Sequence, residues 1–222
     1  MKKNKPEVRY LKDLKKVIYG WKWFKTAKNF PVYYMHRGIK KMDELRYDMT
    51  VMPPNMLGKE FAKTKGNRNS KNFRELYTVL QGKAIFLMQK MKGRIIKDVM
   101  AVRAGKEAWV IVPPKYYVIS INPSKNVLKL GNWVSEKNKN IYKDMEKMRG
   151  ACYYYTKSGW IKNKNYEKVP KLRFKKPLKS FPKNLDFLGD EPNGSSSSAR
   201  AQRRVKKRFI SLTRPFRGLD KK

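Results

Sequence analysis

The sequence predicts a mainly β fold, a jelly-roll-like barrel with a basic N-terminal helix or extension and an extended basic C-terminal tail. Three observations carry the prediction. From residue 31 to about 135 the chain is a succession of short apolar runs separated by turns containing Gly, Pro and Asn, the pattern of an antiparallel sandwich or small barrel. The composition, 40% hydrophobic and 13% aromatic, supports a buried core. Towards both ends Lys and Arg accumulate, and beyond Tyr166 the apolar periodicity fades.

In chain order, residues 2–28 carry ten Lys/Arg and two acids among apolar residues. Leu11, Leu14, Val17 and Ile18 recur at three-to-four spacing, which predicts an amphipathic helix over 10–19. Its Lys-rich face, with Lys12, Lys15 and Lys16 and with Lys22 beyond, is placed to lie on phosphates. The apolar runs 32–35, 49–52, 76–80, 84–88, 99–102, 108–112, 116–121 and 127–130 read as strands. Turns fall at Gln81-Gly82-Lys83, Ala104-Gly105-Lys106 and Asn122-Pro123-Ser124. Residues 136–148 read as a short basic helix and 152–155 as another strand, with Cys152 a buried thiol.

Beyond Tyr166, Lys171, Arg173, Lys175 and Lys176 alternate with Pro170, Pro177 and Pro182 in an extended basic arm. Residues 189–198 are a flexible linker by composition. The tail 199–222 has ten Lys/Arg against one acid, and Arg203, Arg204, Lys206, Lys207, Arg208, Arg214 and Arg217 flank the apolar anchors Phe209, Ile210, Leu212 and Phe216. The expected organisation is therefore extension 1–30, barrel 31–166, arm 167–188, linker 189–198 and tail 199–222.

With 55 Lys+Arg against 17 Asp+Glu the net charge is +38, so a polyanionic partner is expected. No stretch approaches the roughly 18 apolar residues of a spanning helix, so no membrane partner is expected. Lys2, Lys3 and Lys5 have no apolar run behind them, which does not read as a secretory signal. One cysteine excludes an intramolecular disulfide, and a reducing, cytoplasmic compartment follows as the expectation. The single histidine, His36, cannot serve a catalytic triad and reads as structural, and no Gly-rich nucleotide loop is present.

The stretch 52–86, MPPNMLGKEFAKTKGNRNSKNFRELYTVLQGKAIF, and the stretch 112–133, VPPKYYVISINPSKNVLKLGNW, together with Tyr33-Tyr34-Met35 and 161–174, resemble the archaeal cupin-type glucose-6-phosphate isomerases over roughly residues 30–175. The resemblance implies a cupin, a double-stranded β-helix barrel with a metal site in its mouth and, as a further implication, a cupin-type homodimer contact. The family's three metal-binding histidines fall on Asn67, Asn69 and Val118, and Glu75 stands at the glutamate position, slightly closer to Asn67 than the family spacing. No metal and no other cofactor are therefore expected, since amide oxygens, one carboxylate and a valine make a weak donor set. The resemblance also implies that Thr50, Thr64, Gly66 and Tyr77 stand where the family grips a sugar's phosphate.

The expectation drawn from charge and motif together is an isomerase-like cupin without enzymatic activity, re-employed as a structural nucleic-acid-binding protein. Ribosomal RNA and neighbouring ribosomal proteins are the partners expected of it, with ribosome or nucleoid association. Two alternatives stand beside that reading. One is a DNA-coating chromatin or nucleoid protein, which the charge allows equally. The other is a phosphosugar isomerase with an altered metal site.

Overall fold

The structure, a computed structural model, describes residues 5–189. Most of the linker and the whole tail, with Arg203, Arg204, Lys206, Lys207, Arg208, Arg214 and Arg217, lie outside the described residues. The first half of the chain forms β1 (Glu7–Tyr10), α1 (Trp21–Thr26), β2 (Pro31–Met42), β3 (Leu45–Met52), β4 (Met56–Leu57), β5 (Glu60–Phe61), β6 (Arg68–Asn69), β7 (Glu75–Gln81), β8 (Ala84–Lys92) and β9 (Ile95–Ala104). The second half adds β10 (Trp109–Val112), β11 (Tyr117–Ile121), β12 (Leu128–Ser135), β13 (Asn140–Ile141), α2 (Lys143–Lys147), β14 (Tyr153–Thr156), β15 (Gly159–Lys162) and β16 (Arg173–Lys175).

This is the mainly β, jelly-roll architecture the apolar runs predict, and each of those runs falls on a strand. Six strands make one sheet in the order β1-β2-β3-β12-β7-β10, and four make another in the order β11-β8-β9-β16. The period of two sorts side chains between two cores. Along β8, Phe86 and Met88 point into the core between the sheets, where they join Val32, Met52, Val79 and Val118. Ile85 and Leu87 point the other way, into a second core with Ile119, Met145 and Tyr153. Burial on both faces explains why the run Ala84-Ile85-Phe86-Leu87-Met88 is apolar without alternation. The turn at Asn122 is an Asx-turn, its Oδ1 accepting from both Ser124 N–H and Ser124 Oγ.

Two expected helices are corrected. Over 10–19 only a 3-10 turn, Leu11–Leu14, forms, although Leu11, Leu14, Val17 and Ile18 are buried as their spacing requires. The backbone there is claimed by side chains from elsewhere. The Val17 carbonyl accepts from Lys63 Nζ at 2.7 Å, and Tyr19 N–H donates to Glu60 at 3.1 Å. The N-terminal stretch is accordingly part of the barrel rather than an extension from it, since β1 pairs along β2 as well. Over 136–148 the helix shrinks to α2 because Asn140 and Ile141 pair with β6 instead.

The arm after Tyr166 is extended, as its prolines dictate, and it is bonded to the barrel. β16 lies parallel to β9, Leu178 exchanges backbone hydrogen bonds with Trp109, and Phe181 packs edge-on against the Trp109 ring. Lys63 is 4% exposed and ion-paired to Glu60 at 2.5 Å, with its ammonium over the Tyr154 ring.

Candidate functional site

One cavity opens into the core end of the barrel, enclosing about 620 Å³ of empty space when its mouth is counted. The enclosed part is only about 50 Å³, well below the roughly 300–1,000 Å³ of small-molecule sites, so a phosphorylated sugar would have to occupy the open mouth as well. Strand register builds its wall. β12 lies between β3 and β7, pairing Leu130 with Thr50 and Val79, and Asn132 with Asp48 and Tyr77. Val134 pairs with Arg46, and its next neighbour Trp133 pairs with Leu76, which brings Glu75 onto the Arg46 row. Alternate residues share a face, so Arg46, Asp48, Thr50, Asn132, Val134, Glu75 and Tyr77 all line the cavity. Rows lie about 7 Å apart along a strand.

The phosphate-gripping positions come together. Thr50, Thr64, Gly66 and Tyr77 all line this cavity. Thr64 Oγ1 accepts from Ser120 N–H at 3.0 Å, which leaves its own O–H to donate into the cavity. Gly66 has φ +84, and a Cβ there would stand 2.8 Å from Ile119 and 2.9 Å from Met145. Only glycine keeps the backbone this close to the wall. Lys65, beside it, is ion-paired to Glu146 at 2.6 Å and lies over the Tyr142 ring. Hydrogen bonding from Lys65, with Lys16 adding to it, holds the Glu146 carboxyl below its usual range.

At the other end the side chains differ in kind. Glu75 is buried, and that burial raises its carboxyl above the usual range, partly opposed by Tyr77 and Asn69. The same burial, with Glu75 as neighbour, pushes the Tyr77 phenol well up, so it remains a hydroxyl donor. Asp48, only 2% exposed, accepts from Arg37 Nη1 at 3.0 Å, from Gly38 N–H at 2.8 Å and from Arg46 Nε at 3.1 Å. A bulge in β2 between His36 and Lys40, with Gly38 at φ +60, turns Arg37 and the Gly38 amide onto that carboxylate. His36 pairs with Met49 and, by alternation with Met35 and Arg37, points away from the cavity.

The residues at the family's metal positions do not fit a metal ion. Asn69 is 4% exposed, and its amide is already spent, Nδ2 donating to the Phe73 carbonyl at 3.1 Å and Oδ1 accepting from Asn138 at 2.8 Å. Val118 is a core residue with no donor atom, and Asn67 is tied to it through both backbone groups. Among the described residues no group of three His, Cys, Asp or Glu stands close enough to hold a cation. Cys152 is buried and its thiol is pushed up by that burial, consistent with an inert strand-edge thiol.

Among the described residues, the cations expected on nucleic acid are exposed and do not line the cavity. Lys12, Lys15, Lys16 and Lys22 lie on the N-terminal stretch, and Lys171, Arg173, Lys175 and Lys176 on the arm. Several already have partners. Lys16 pairs with Glu146, Lys15 lies over Trp21, and Arg173 hydrogen-bonds Asp98. Sequence reasoning missed Arg37, Arg46, Asp48, Asn132 and Asn138 as cavity residues. One signal was present: the alternation Arg46, Asp48, Thr50 with Tyr47, Met49 and Val51.

A family model described as Glucose-6-phosphate isomerase (GPI) matches residues 8–171. No curated protein matches the chain. Among solved structures, the chain is similar to the Schizosaccharomyces pombe Cnp3 cupin domain, with 15% identity and TM-score 0.36, over 57% of this chain and 78% of that one. It is similar to a cupin superfamily protein from Desulfitobacterium hafniense DCB-2, with 12% identity and TM-score 0.34, over 46% and 76%. It is also similar to Peruvianin-I, a cysteine peptidase from Thevetia peruviana latex, with 11% identity and TM-score 0.37, and covers 46% of this chain and only 60% of that one. The matched family is one of enzymes, which overturns the expectation of a chain without enzymatic activity. The lost imidazoles speak to the metal; they leave the carboxylate, hydroxyls and amide of the cavity in place.

Proposed function

We propose, from the premise that this chain belongs to the glucose-6-phosphate isomerase family, that its barrel interconverts an aldose phosphate and the corresponding ketose phosphate. The observation that carries the reading is a buried carboxylate, Glu75, in the same cavity as Thr50, Thr64, Gly66 and Tyr77. Hydroxyls and a backbone N–H are suited to a phosphate that must be held without being charged against. A carboxylate shielded from water is suited to moving a proton between neighbouring carbons.

In this reading the phosphate sits against Thr50, Thr64 and the Gly66 amide, two rows from Glu75. Glu75 takes the proton from C2 of the aldose and returns it to C1. Tyr77, between the two ends, donates its hydroxyl towards Glu75 or the sugar and keeps the base aligned. No step is routed through a metal, because the side chains at the metal positions do not fit one.

The test is interconversion of glucose 6-phosphate and fructose 6-phosphate by the full chain, followed by NMR with and without a chelator. Turnover that survives the chelator and falls about 10²- to 10⁴-fold in Glu75→Gln supports the reading. No turnover under either condition overturns it.

The charge of +38 favours a second reading, polyanion binding by the exposed lysines. The family match and the structural neighbours add nothing to it. Sequencing any nucleic acid that co-purifies with the protein in moderate salt tests it.

A further inference from the structure

We propose that Arg46 is a catalytic residue of this barrel, supplying the fixed positive charge that stabilises the enediolate oxygen. The proposal rests on the aldose–ketose reading of the cavity and names the group that does the work of an electrophile there. Arg46 lines the cavity, and its side chain is 18% exposed. Its Nε donates to Asp48 at 3.1 Å, while its two terminal nitrogens have no acceptor among the described residues. Four N–H groups of a mostly buried, permanently charged side chain are left for a ligand.

Register puts this guanidinium opposite the base. Arg46 pairs with Val134, and Glu75 flanks the same position from β7, so the two backbones stand about 10 Å apart across β12 with both side chains in the cavity. A ligand held in that cavity therefore meets the carboxylate from one side and the guanidinium from the other. Asp48, held in turn by Arg37 and the Gly38 amide, fixes Arg46 through Nε and leaves its planar pair of terminal nitrogens free to bind as a fork. The built support matters, because a preorganised donor stabilises developing charge without reorganising during the step.

The step balances without any co-reactant. As Glu75 takes the C2 proton, the C–H electron pair becomes the C1=C2 bond and the carbonyl pair moves onto O1, which hydrogen-bonds to Arg46. The O2 hydroxyl proton passes to O1. Glu75 then returns its proton to C1, and the O2 lone pair closes the C2 carbonyl.

The experiment compares two five-carbon probes by calorimetry, an aldonic acid 5-phosphate, whose carboxylate imitates the enediolate, and the matching alditol 5-phosphate, which is neutral there. The wild-type chain should prefer the acid by about 10- to 100-fold, the worth of one charge-assisted pair. Arg46→Met should bring that preference within about 3-fold and leave the alditol phosphate bound as before, with Arg46→Lys in between because it keeps the charge and loses the fork. Melting curves confirm that each variant is folded, and Arg46→Lys decides the matter if Arg46→Met is not. A preference that survives Arg46→Met, or that a chelator abolishes, overturns the proposal. If neither probe binds the wild-type chain, the aldose–ketose reading itself falls, and this inference with it.

Discussion

The two ends of one cavity are built on different principles. The Thr64–Gly66 end uses hydroxyls and a backbone amide, positioned by a glycine whose neighbours leave no room for a Cβ. The Arg46–Glu75 end uses ionisable side chains, of which Arg46 is held by a buried aspartate with three donors on it. Backbone geometry tolerates little substitution, whereas side-chain chemistry can be exchanged as long as register and burial persist. On the proposed reading, the barrel keeps its grip on a phosphate while a guanidinium replaces the family's imidazoles at the reacting carbons.

The Glu75→Gln loss of turnover described above is the largest effect this comparison predicts, because it strikes the reacting end and spares the phosphate end. Gly66→Ala should do the reverse. Its positive φ and the 2.8 Å approach to Ile119 predict a loss of about 2–4 kcal/mol in denaturant unfolding, together with weaker binding of any phosphorylated probe. An unchanged midpoint would show that the loop is not organised around this glycine. Val118→His sharpens the metal argument. It buries an imidazole among apolar neighbours at a cost of about 1–3 kcal/mol, and elemental analysis should still find no stoichiometric metal.

The smallest effect is remote from both ends and serves as their control. Burial alone would raise Asp98, but hydrogen bonds from Tyr116 and Arg173 outweigh it and hold the carboxyl below its usual range. A depressed folded-state value stabilises the protein above the ordinary carboxylate range, and the contribution fades as pH falls through that range towards the folded value. Asp98→Asn should therefore lower stability by about 0.5–1 kcal/mol at pH 7, since Arg173 is half-exposed, and by nothing measurable near pH 2. Thermal melts at the two pH values check it. Cavity binding should be unaffected at pH 7.

The strands were legible because each apolar run is long enough to declare a buried face, and β8 is apolar on both. The helix expected over 10–19 was not, because partners 40 residues away, Glu60 and Lys63, take the backbone groups that an α-helix would use. In the cavity, Thr50, Thr64, Gly66 and Tyr77 were legible through the family motifs. Arg46 and Asp48 lie outside those motifs, and a polar residue at every second position of a strand ordinarily marks the solvent face. Here it marks the inside. Arg37 depended on a bulge whose position no short-range pattern announces.

The place of β12 in its sheet has a kinetic consequence. It separates β3 from β7, and Leu128 pairs with Met52, 76 positions earlier in the chain. During synthesis β2 and β3 can close as a hairpin at once, yet β3 keeps an open edge until residue 135 has emerged, and β7 waits beside it. Such non-local pairing is slow, and unpaired edges recruit other chains. Arg46 lies along that waiting edge, and so does buried Asp48. Charged side chains on an open edge disfavour pairing with another chain, so the pair that lines the cavity in the finished barrel also suits β3 to its time as an edge.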